Sequence, residues 1–202
     1  MQYIKNMMFM NICQLFLLLC LSVLPAAGVF ADIDALVGLS GRYFTEEPAY
    51  EDQERNSYSI VAEGEARYKF NEGLSIFTFA PFYREDSADE ARSHGDIRKL
   101  SYFQELQNWQ FEVGIGKVFW GVTESAHLVD IINQTDYVED FYQEEKLGQP
   151  LLSLKHLHDG GAVAIYLLPY FRERTFIGSE GRLRPSIPID DESASYESDR
   201  EN

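Results

Sequence analysis

Charged side chains at every second position mark the stretch 57–70 as the first candidate for chemistry. On a β-strand these residues would all project from one face, while small and apolar residues occupy the other. A charged row of this kind could set the ion preference of a water-filled passage. It could equally be a solvated strand face whose ion pairs each contribute little. The four residues are Glu63, Glu65, Arg67 and Lys69.

A second stretch, 109–121, alternates in the same way. Trp109, Phe111, Val113 and Ile115 would point to one side, and the intervening small or polar residues to the other. A strand with apolar side chains on one face and small or polar side chains on the other suits a barrel wall between lipid and water. Two further candidates for a polar lining come from this stretch, Glu112 and Lys117.

The stretch 122–150 is long, lacks this alternation and is strongly acidic, with Lys146 as its one base. Carboxylates are the oxygen ligands that Ca²⁺ prefers, but no EF-hand spacing is present. A solvated acidic loop is the simpler interpretation. The residues considered as calcium ligands are Asp130, Asp136, Glu139 and Asp140.

Histidine and serine residues offer little else. His156 and His158 would share a strand face and could hold a metal, but no third ligand is evident. Ser125 lies near His127, yet nothing marks the two as a catalytic pair. We therefore predict no catalytic residue, no metal and no cofactor, and a protein that is not an enzyme.

Period-two patterns predict about seven strands. The stretch 57–70 is long for a soluble strand and carries aromatic residues at both ends of its apolar face, as membrane-interface girdles do. Asn71-Glu72-Gly73 predicts a tight turn, with Gly73 able to take positive φ. Pro81 lacks a backbone donor and predicts a bulge or a rim. The predicted strands are 36–44, 57–70, 74–84, 96–106, 109–121, 151–157 and 162–171.

The connections between these strands alternate strictly in length. Long stretches at 45–56, 85–95 and 122–150 alternate with short turns at 71–73, 107–108 and 158–161. Bacterial outer-membrane barrels have short periplasmic turns and long outer loops. A soluble sandwich has no reason to sort its loops by side. The alternation therefore favours an all-β, antiparallel transmembrane β-barrel.

The first 31 residues have the features of a secretory signal peptide. Lys5 is the only charge before Asp32, an apolar run follows it, and Val29-Phe30-Ala31 offers a cleavage site after Ala31. Cleavage would remove both cysteines and change the formal net charge from −16 to −17, because Lys5 is lost with them. Such acidity argues against nucleic acid as a partner. We expect export to the cell outer membrane.

Seven strands do not close a bacterial barrel, which needs an even number and at least about 8. The chain also ends in a polar run rather than on a strand with a terminal aromatic residue. We expect an incomplete barrel over 32–171, an acidic loop or disordered tail over 172–202, and a chain that is the N-terminal part of a longer barrel. The alternatives are an eighth strand after Arg172 or a barrel closed by several chains.

The run Gly116-Lys117-Val118-Phe119-Trp120-Gly121, followed by Val129-Asp130, Asn133 and Asp136, resembles porin-type outer-membrane proteins of Gram-negative bacteria. In such families a middle strand ends on a basic residue and a Trp-Gly pair and then enters a long loop. The resemblance implies that this loop folds into the lumen and narrows it. The residues it places at the constriction are Asp130, Asn133 and Asp136.

These observations predict a porin-like channel for passive diffusion of small polar solutes. Its partners would be outer-membrane lipid and the solutes themselves, with a homo-oligomer possible. A net acidic lining would favour cations. Two other hypotheses stay open: a non-channel barrel with a structural or adhesive role, and a soluble periplasmic β-sandwich that binds a ligand.

Overall fold

Strands dominate the computed structural model, which describes residues 30–119, 132–140, 142 and 144–187. The all-β prediction and the number of seven strands are confirmed. Helical structure within the described residues consists of two short 3₁₀ turns, Asn71–Gly73 and Glu90–Arg92. The strands are β1 (Phe30–Tyr43), β2 (Asn56–Phe70), β3 (Ser75–Asp86), β4 (His94–Leu106), β5 (Trp109–Gly116), β6 (Gln149–His158) and β7 (Gly161–Leu167).

The strands form one antiparallel sheet in sequence order, from β1 to β7. Each strand pairs with its neighbours in the chain, so β1 and β7 are the two edges of the sheet. These edges do not pair with each other, and the described residues form an open sheet rather than a closed barrel. Residues 1–29 lie outside the described part. Cleavage after Ala31 would remove the first two residues of β1.

Short and long connections lie at opposite ends of the sheet, because consecutive antiparallel strands turn back alternately at each end. We call the end with connections 71–74, 107–108 and 159–160 the turn end, and the end with 44–55, 87–93 and 117–148 the loop end. The predicted tight turn is present, and Gly73 takes a φ of 93° as expected. Asn71 and Glu72 also have positive φ.

The predicted bulge is present beside Pro81. The register between β3 and β4 shifts between Ala80 and Pro81, so that Lys99 pairs with Ala80 while Ile97 pairs with Pro81. Arg98 is thus an extra residue on β4. Its side chain turns to the same face as that of Asp96, with which it forms an ion pair.

Two predicted strands end early. β5 stops at Gly116 rather than 121, because the backbone N–H of Val118 donates to the side chain of Asn133 instead of to a neighbouring strand. β7 stops at Leu167 rather than 171. Continuing its register with β6 would place Pro150 opposite Pro169, and neither residue has an N–H to donate.

The two faces of the sheet have opposite chemistry. On the apolar face, large side chains are open to solvent: Val37 is 77% exposed, Leu39 83% and Tyr58 66%. On the polar face, small hydroxyl residues are buried, Ser59 to 6% and Ser101 to 3% exposure. In soluble proteins apolar side chains are the ones most often buried. This sheet shows the reverse distribution.

After β7 the chain returns across the loop end. Residues 168–187, here called the rim strap, have no helix or extended strand, yet they bond to other segments in turn. Gln149 at the start of β6 donates to the carbonyl of Tyr170, and Tyr50 in the β1–β2 loop donates to that of Ser186. Residues 188–202, the rest of the expected acidic tail, lie outside the described part.

A search of the described residues for a helix long and apolar enough to cross a membrane found none.

Candidate functional site

The polar face carries a set of exposed ion pairs towards the turn end. Lys69 lies 2.5 Å from Asp32, Arg67 2.6 Å from Glu65, and Lys99 3.7 Å from Glu112. All these side chains stay at least a quarter open to solvent, so each pair is screened by water and contributes little to stability. We call this set the strand ladder: Asp32, Glu65, Arg67, Lys69, Lys99 and Glu112.

The other two lining candidates lie apart from these pairs. Glu63 is exposed, and its backbone lies between those of Leu36 and Phe82 on the neighbouring strands. Lys117 follows the end of β5 and pairs with Glu145 of the long loop. The structure therefore brings Glu65, Arg67, Lys69 and Glu112 into one strand-borne set, and leaves Lys117 at the loop end.

A second set of charges is buried at the loop end, centred on Arg98. Its guanidinium lies 2.6 Å from Asp136 and 3.2 Å from Asp96, and it covers the ring of Phe82 at 4.3 Å. Asp136 is completely buried. Arg98 continues the alternation of His94 and Asp96 and so faces the polar side with them, and the bulge lets the next residue, Lys99, face that side as well.

Neighbouring arginines extend this set across the sheet. Arg84 binds Glu139 through two of its nitrogens, and Arg92 lies 3.2 Å from Asp86 and donates to the carbonyl of Val138. Arg172 of the rim strap joins it through Asp96 at 2.6 Å. We call the whole set the rim network: Arg84, Asp86, Arg92, Asp96, Arg98, Asp136, Glu139 and Arg172.

Hydrogen bonds decide the ionisation of Asp136. Burial alone would raise the pKa of this carboxyl, but Thr175 and Arg98 donate hydrogen bonds to it, and the Arg98 charge adds to them. Their combined effect holds the pKa of Asp136 below its ordinary value of 3.8. Asp136 is therefore an anion at neutral pH and pairs with Arg98 as a full charge.

Asn133 fixes the base of the long loop. Its side chain accepts from the N–H of Val118 at 2.7 Å and donates to the carbonyls of Gly116 and Leu147, at 3.1 and 2.9 Å. These bonds join the exit of β5 to the segment that leads into β6. Of the three constriction residues, Asn133 and Asp136 are thus buried against the sheet, and Asp130 lies outside the described residues.

The rim strap contacts the long loop and, on the far side of the loop end, the β1–β2 loop. Thr175 pairs with Asp136, and Phe176 stacks on Tyr137 with ring centres 5.9 Å apart. Further along, Gln53 donates to the carbonyl of Gly181 at 2.9 Å. The strap therefore bridges the region above β4 and the β1–β2 loop, covering the polar face at this end.

Sequence reasoning did not identify the rim network, although a signal was present. Arg92, His94, Asp96 and Arg98 alternate along the chain, as strand residues facing one side would. The alternation breaks at Lys99 because of the bulge, which made the strand look poorly patterned. Arg84 and Arg172 carry no local signal, since their partners are distant in sequence.

The surroundings of His156 and His158 are not those that a metal site needs. The ring of His156 is 4.4 Å from that of Trp109 and 6.3 Å from that of His158, forming an aromatic row at the turn end. No group of three or more His, Cys, Asp or Glu within the described residues is placed to hold a metal ion. Ser125 and His127 fall outside the described part.

Comparisons of the chain with protein-family models, with curated proteins and with solved structures found no match.

Proposed function

We propose that this chain supplies seven strands of a porin-like barrel in the bacterial outer membrane, which passes small polar solutes by passive diffusion. The observation that carries the proposal is the reversed burial of the sheet. Large apolar residues such as Leu39 and Tyr58 are exposed on one face, while Ser59 and Thr78 are buried on the other. A wall with lipid outside and water inside needs this distribution.

The apolar face has the height and the borders that a bilayer requires. Tyr58 and Tyr68 mark its two ends on β2 and are ten positions apart. At about 3.3 Å per residue and a tilt of about 40°, this spacing spans roughly 25 Å, the usual height of the apolar band. Glu85 lies on this face opposite Ile60, within that span, whereas between the levels of Tyr83 and Tyr68 the described strands place no charged residue on it.

The open edges of β1 and β7 set a requirement for this function. An unpaired edge in lipid leaves backbone N–H and C=O groups without partners, at a cost of several kcal/mol for each group. We therefore propose that further strands pair with both edges to complete the wall. In the complete barrel the polar face would line the lumen, and loop residues around Asp136, together with the rim strap, would narrow its outer mouth.

Conductance in a planar lipid bilayer tests the channel. We expect discrete current steps with a preference for cations, since Glu63 and Glu65 face the proposed lumen. Replacing both with glutamine should lower the ratio of cation to anion permeability. Glu85 provides a matched control, because it lies on the apolar face and bonds to Tyr83. An absence of current steps at every salt concentration would refute the channel.

A second candidate, a non-channel barrel with a structural or adhesive role, is favoured by one observation. The rim strap and the long loop already cover the polar face at the loop end through the buried Asp136 and the half-buried Arg172. Small barrels fill their interior with side chains in a comparable way. Deleting residues 174–187 distinguishes the two: a channel should conduct more, and a filled barrel should still show no steps.

A further inference from the structure

We propose that a cavity at the loop end binds a small carboxylate anion, held by the guanidinium groups of Arg42 and Arg182. This binding site goes beyond the proposed passage of solutes. It would exist whether or not the barrel conducts.

The cavity has a volume of about 150 Å³ and lies between the end of β1, the long loop and the rim strap. A space of this size in a protein core holds a molecule as large as benzene. A carboxylate with roughly six to eight non-hydrogen atoms therefore fits. Its carbon atoms would contact Phe44, Tyr137 and Leu183, and its charge would face Arg42, Arg92 and Arg182.

The acidic groups that line the cavity are already engaged. Each one accepts hydrogen bonds or an ion pair from the protein itself, so none of them needs a cationic ligand to balance it. Asp86 accepts from Ser57 and Ser59, Asp89 from the N–H of Ala91, Glu139 from Arg84, Asp140 from the N–H groups of Tyr142 and Glu144, and Glu180 from the N–H of Glu90.

The cationic groups are not fully engaged. Arg182 donates through one nitrogen to the carbonyl of Glu46 and lies over the ring of Phe44 at 4.9 Å. Its other terminal nitrogen, Nη1, is buried and has no hydrogen-bond partner among the described residues. Arg42 is exposed, and its guanidinium forms no hydrogen bond or ion pair with the described residues. A buried donor without an acceptor is costly, so Nη1 of Arg182 calls for an acceptor.

Arg92 makes an anion more favourable still. It is 6% exposed, and burial together with the nearby charges of Arg42 and Arg84 lowers its pKa, although Glu139 and Asp86 act in the opposite direction. The repulsion between Arg42 and Arg92 would be relieved by a negative charge placed between them. Guanidinium groups match carboxylates because two parallel N–H bonds reach both oxygens.

Acids outnumber bases in the chain, 33 to 17, and also in the cavity lining, where five carboxylates meet three arginines. At long range, the net negative charge of the molecule would repel an anion. Binding would therefore depend on the short-range bonds inside the cavity. A neutral ligand of the same shape should lose most of the affinity.

Calorimetric titration of the full-length protein in detergent tests the site, with succinate as the probe and succinamide as its uncharged counterpart. We expect saturable binding of one succinate per chain, with succinamide binding at least roughly tenfold more weakly. Arg42→Gln and Arg182→Gln should each raise the Kd for succinate by roughly tenfold. Arg184→Gln is the matched control, since Arg184 lies over Tyr50 and does not line the cavity.

Two results would overturn the proposal. One is the absence of saturable succinate binding up to about 10 mM; the other is binding that Arg42→Gln leaves unchanged. Circular dichroism shows whether each variant retains the sheet. If Arg182→Gln fails to fold, the titration of Arg42→Gln decides the question, because the exposed Arg42 side chain bonds to no described residue. Neither result depends on whether the protein conducts ions.

Discussion

The strand ladder and the rim network use the same residue types on the same face of one sheet, yet they differ in burial. In the ladder, the Lys69 and Asp32 side chains are 39% and 57% exposed. In the network, Arg98 is 12% exposed and Asp136 is fully buried. Water can replace a broken partner in the first region and cannot do so in the second.

The difference shows that the type of a charged residue and the presence of an ion-pair partner do not by themselves tell whether the fold depends on that residue. Exposed pairs can be rearranged at little cost, which suits a lining that contacts moving solutes. Buried pairs must all be kept together, because removing one member leaves a desolvated charge. We infer that the ion selectivity of the proposed channel can be changed in the strand ladder, whereas the rim network holds the loop end in place.

The largest effect on stability is expected at the bulge, where two adjacent residues, Arg98 and Lys99, should respond very differently to substitution. Arg98→Ala leaves the buried Asp136 without its cation and Asp96 with Arg172 alone, and should lower the free energy of unfolding by about 3–5 kcal/mol. Lys99→Ala, in the strand ladder, should lower it by less than about 1 kcal/mol. Urea unfolding in lipid vesicles, followed by tryptophan fluorescence, measures both. Equal losses would remove the distinction between the two regions.

Gly114 on β5 tests how closely β4 and β5 approach each other between the two regions. Gly114 has a φ of 135°, and a Cβ there would lie 2.0 Å from the carbonyl oxygen of Leu100. The backbone conformation alone should make Gly114→Ala cost about 1–3 kcal/mol, and the clash adds to this. Gly41→Ala is the control, since its Cβ would meet Tyr58 at an ordinary 3.5 Å. Unchanged stability of Gly114→Ala would show that β5 can shift.

Acid should affect the loop end through two aspartates whose pKa shifts have opposite signs, Asp136 of the rim network and Asp89 of the β3–β4 connection. The pKa of Asp136 is lowered, so its contribution to stability is complete above pH 3.8 and is lost as the pH falls through the lower folded-state value. Burial raises the pKa of Asp89, although the N–H of Ala91 opposes the shift, so protonation of Asp89 favours the folded state as the pH falls.

Unfolding midpoints at about pH 6 and about pH 3 measure this contrast. Asp136→Asn should reduce the loss of stability on acidification, because asparagine has no proton to gain. Asp89→Asn should increase that loss, because it removes a contribution that grows in acid. The same dependence on pH in both variants and in the original protein would contradict the assignment.

The smallest effect is expected for Lys69→Gln in the strand ladder. Its partner Asp32 is exposed and can be solvated by water, so the urea midpoint should not change measurably. The same substitution should increase the cation preference of the proposed channel, because it removes a positive charge from the lining. A clear loss of stability would show that the strand ladder is structurally required.

Local pattern was enough to predict the sheet. Local sequence located all seven strands, although β1 begins at Phe30 rather than 36; Gly73 marked a turn that needs positive φ, and Pro81 marked the bulge. These features depend on residues close together in the chain. The ends of β5 and β7 were wrong because they depend on Asn133 and on the meeting of Pro150 with Pro169, which lie on separate segments.

The rim network could not be predicted for the same reason. Arg98 reaches Asp136 across 38 positions, and Arg172 reaches Asp96 across 76. Nothing in the neighbourhood of either arginine identifies its partner. Four of the six predicted lining residues, Glu65, Arg67, Lys69 and Glu112, belong to the strand ladder, so sequence reasoning found the more tolerant of the two regions.

The order of the strands has a consequence for how the molecule assembles. Every pairing in the described sheet joins strands adjacent in sequence, so the sheet can grow one hairpin at a time with short loop closures. The bond from Tyr50 to Ser186 spans 136 positions and can form only after both ends of the sheet exist. Such distant contacts form slowly. The rim strap would therefore be the last segment to fold, and the polar face at the loop end would stay uncovered until that step.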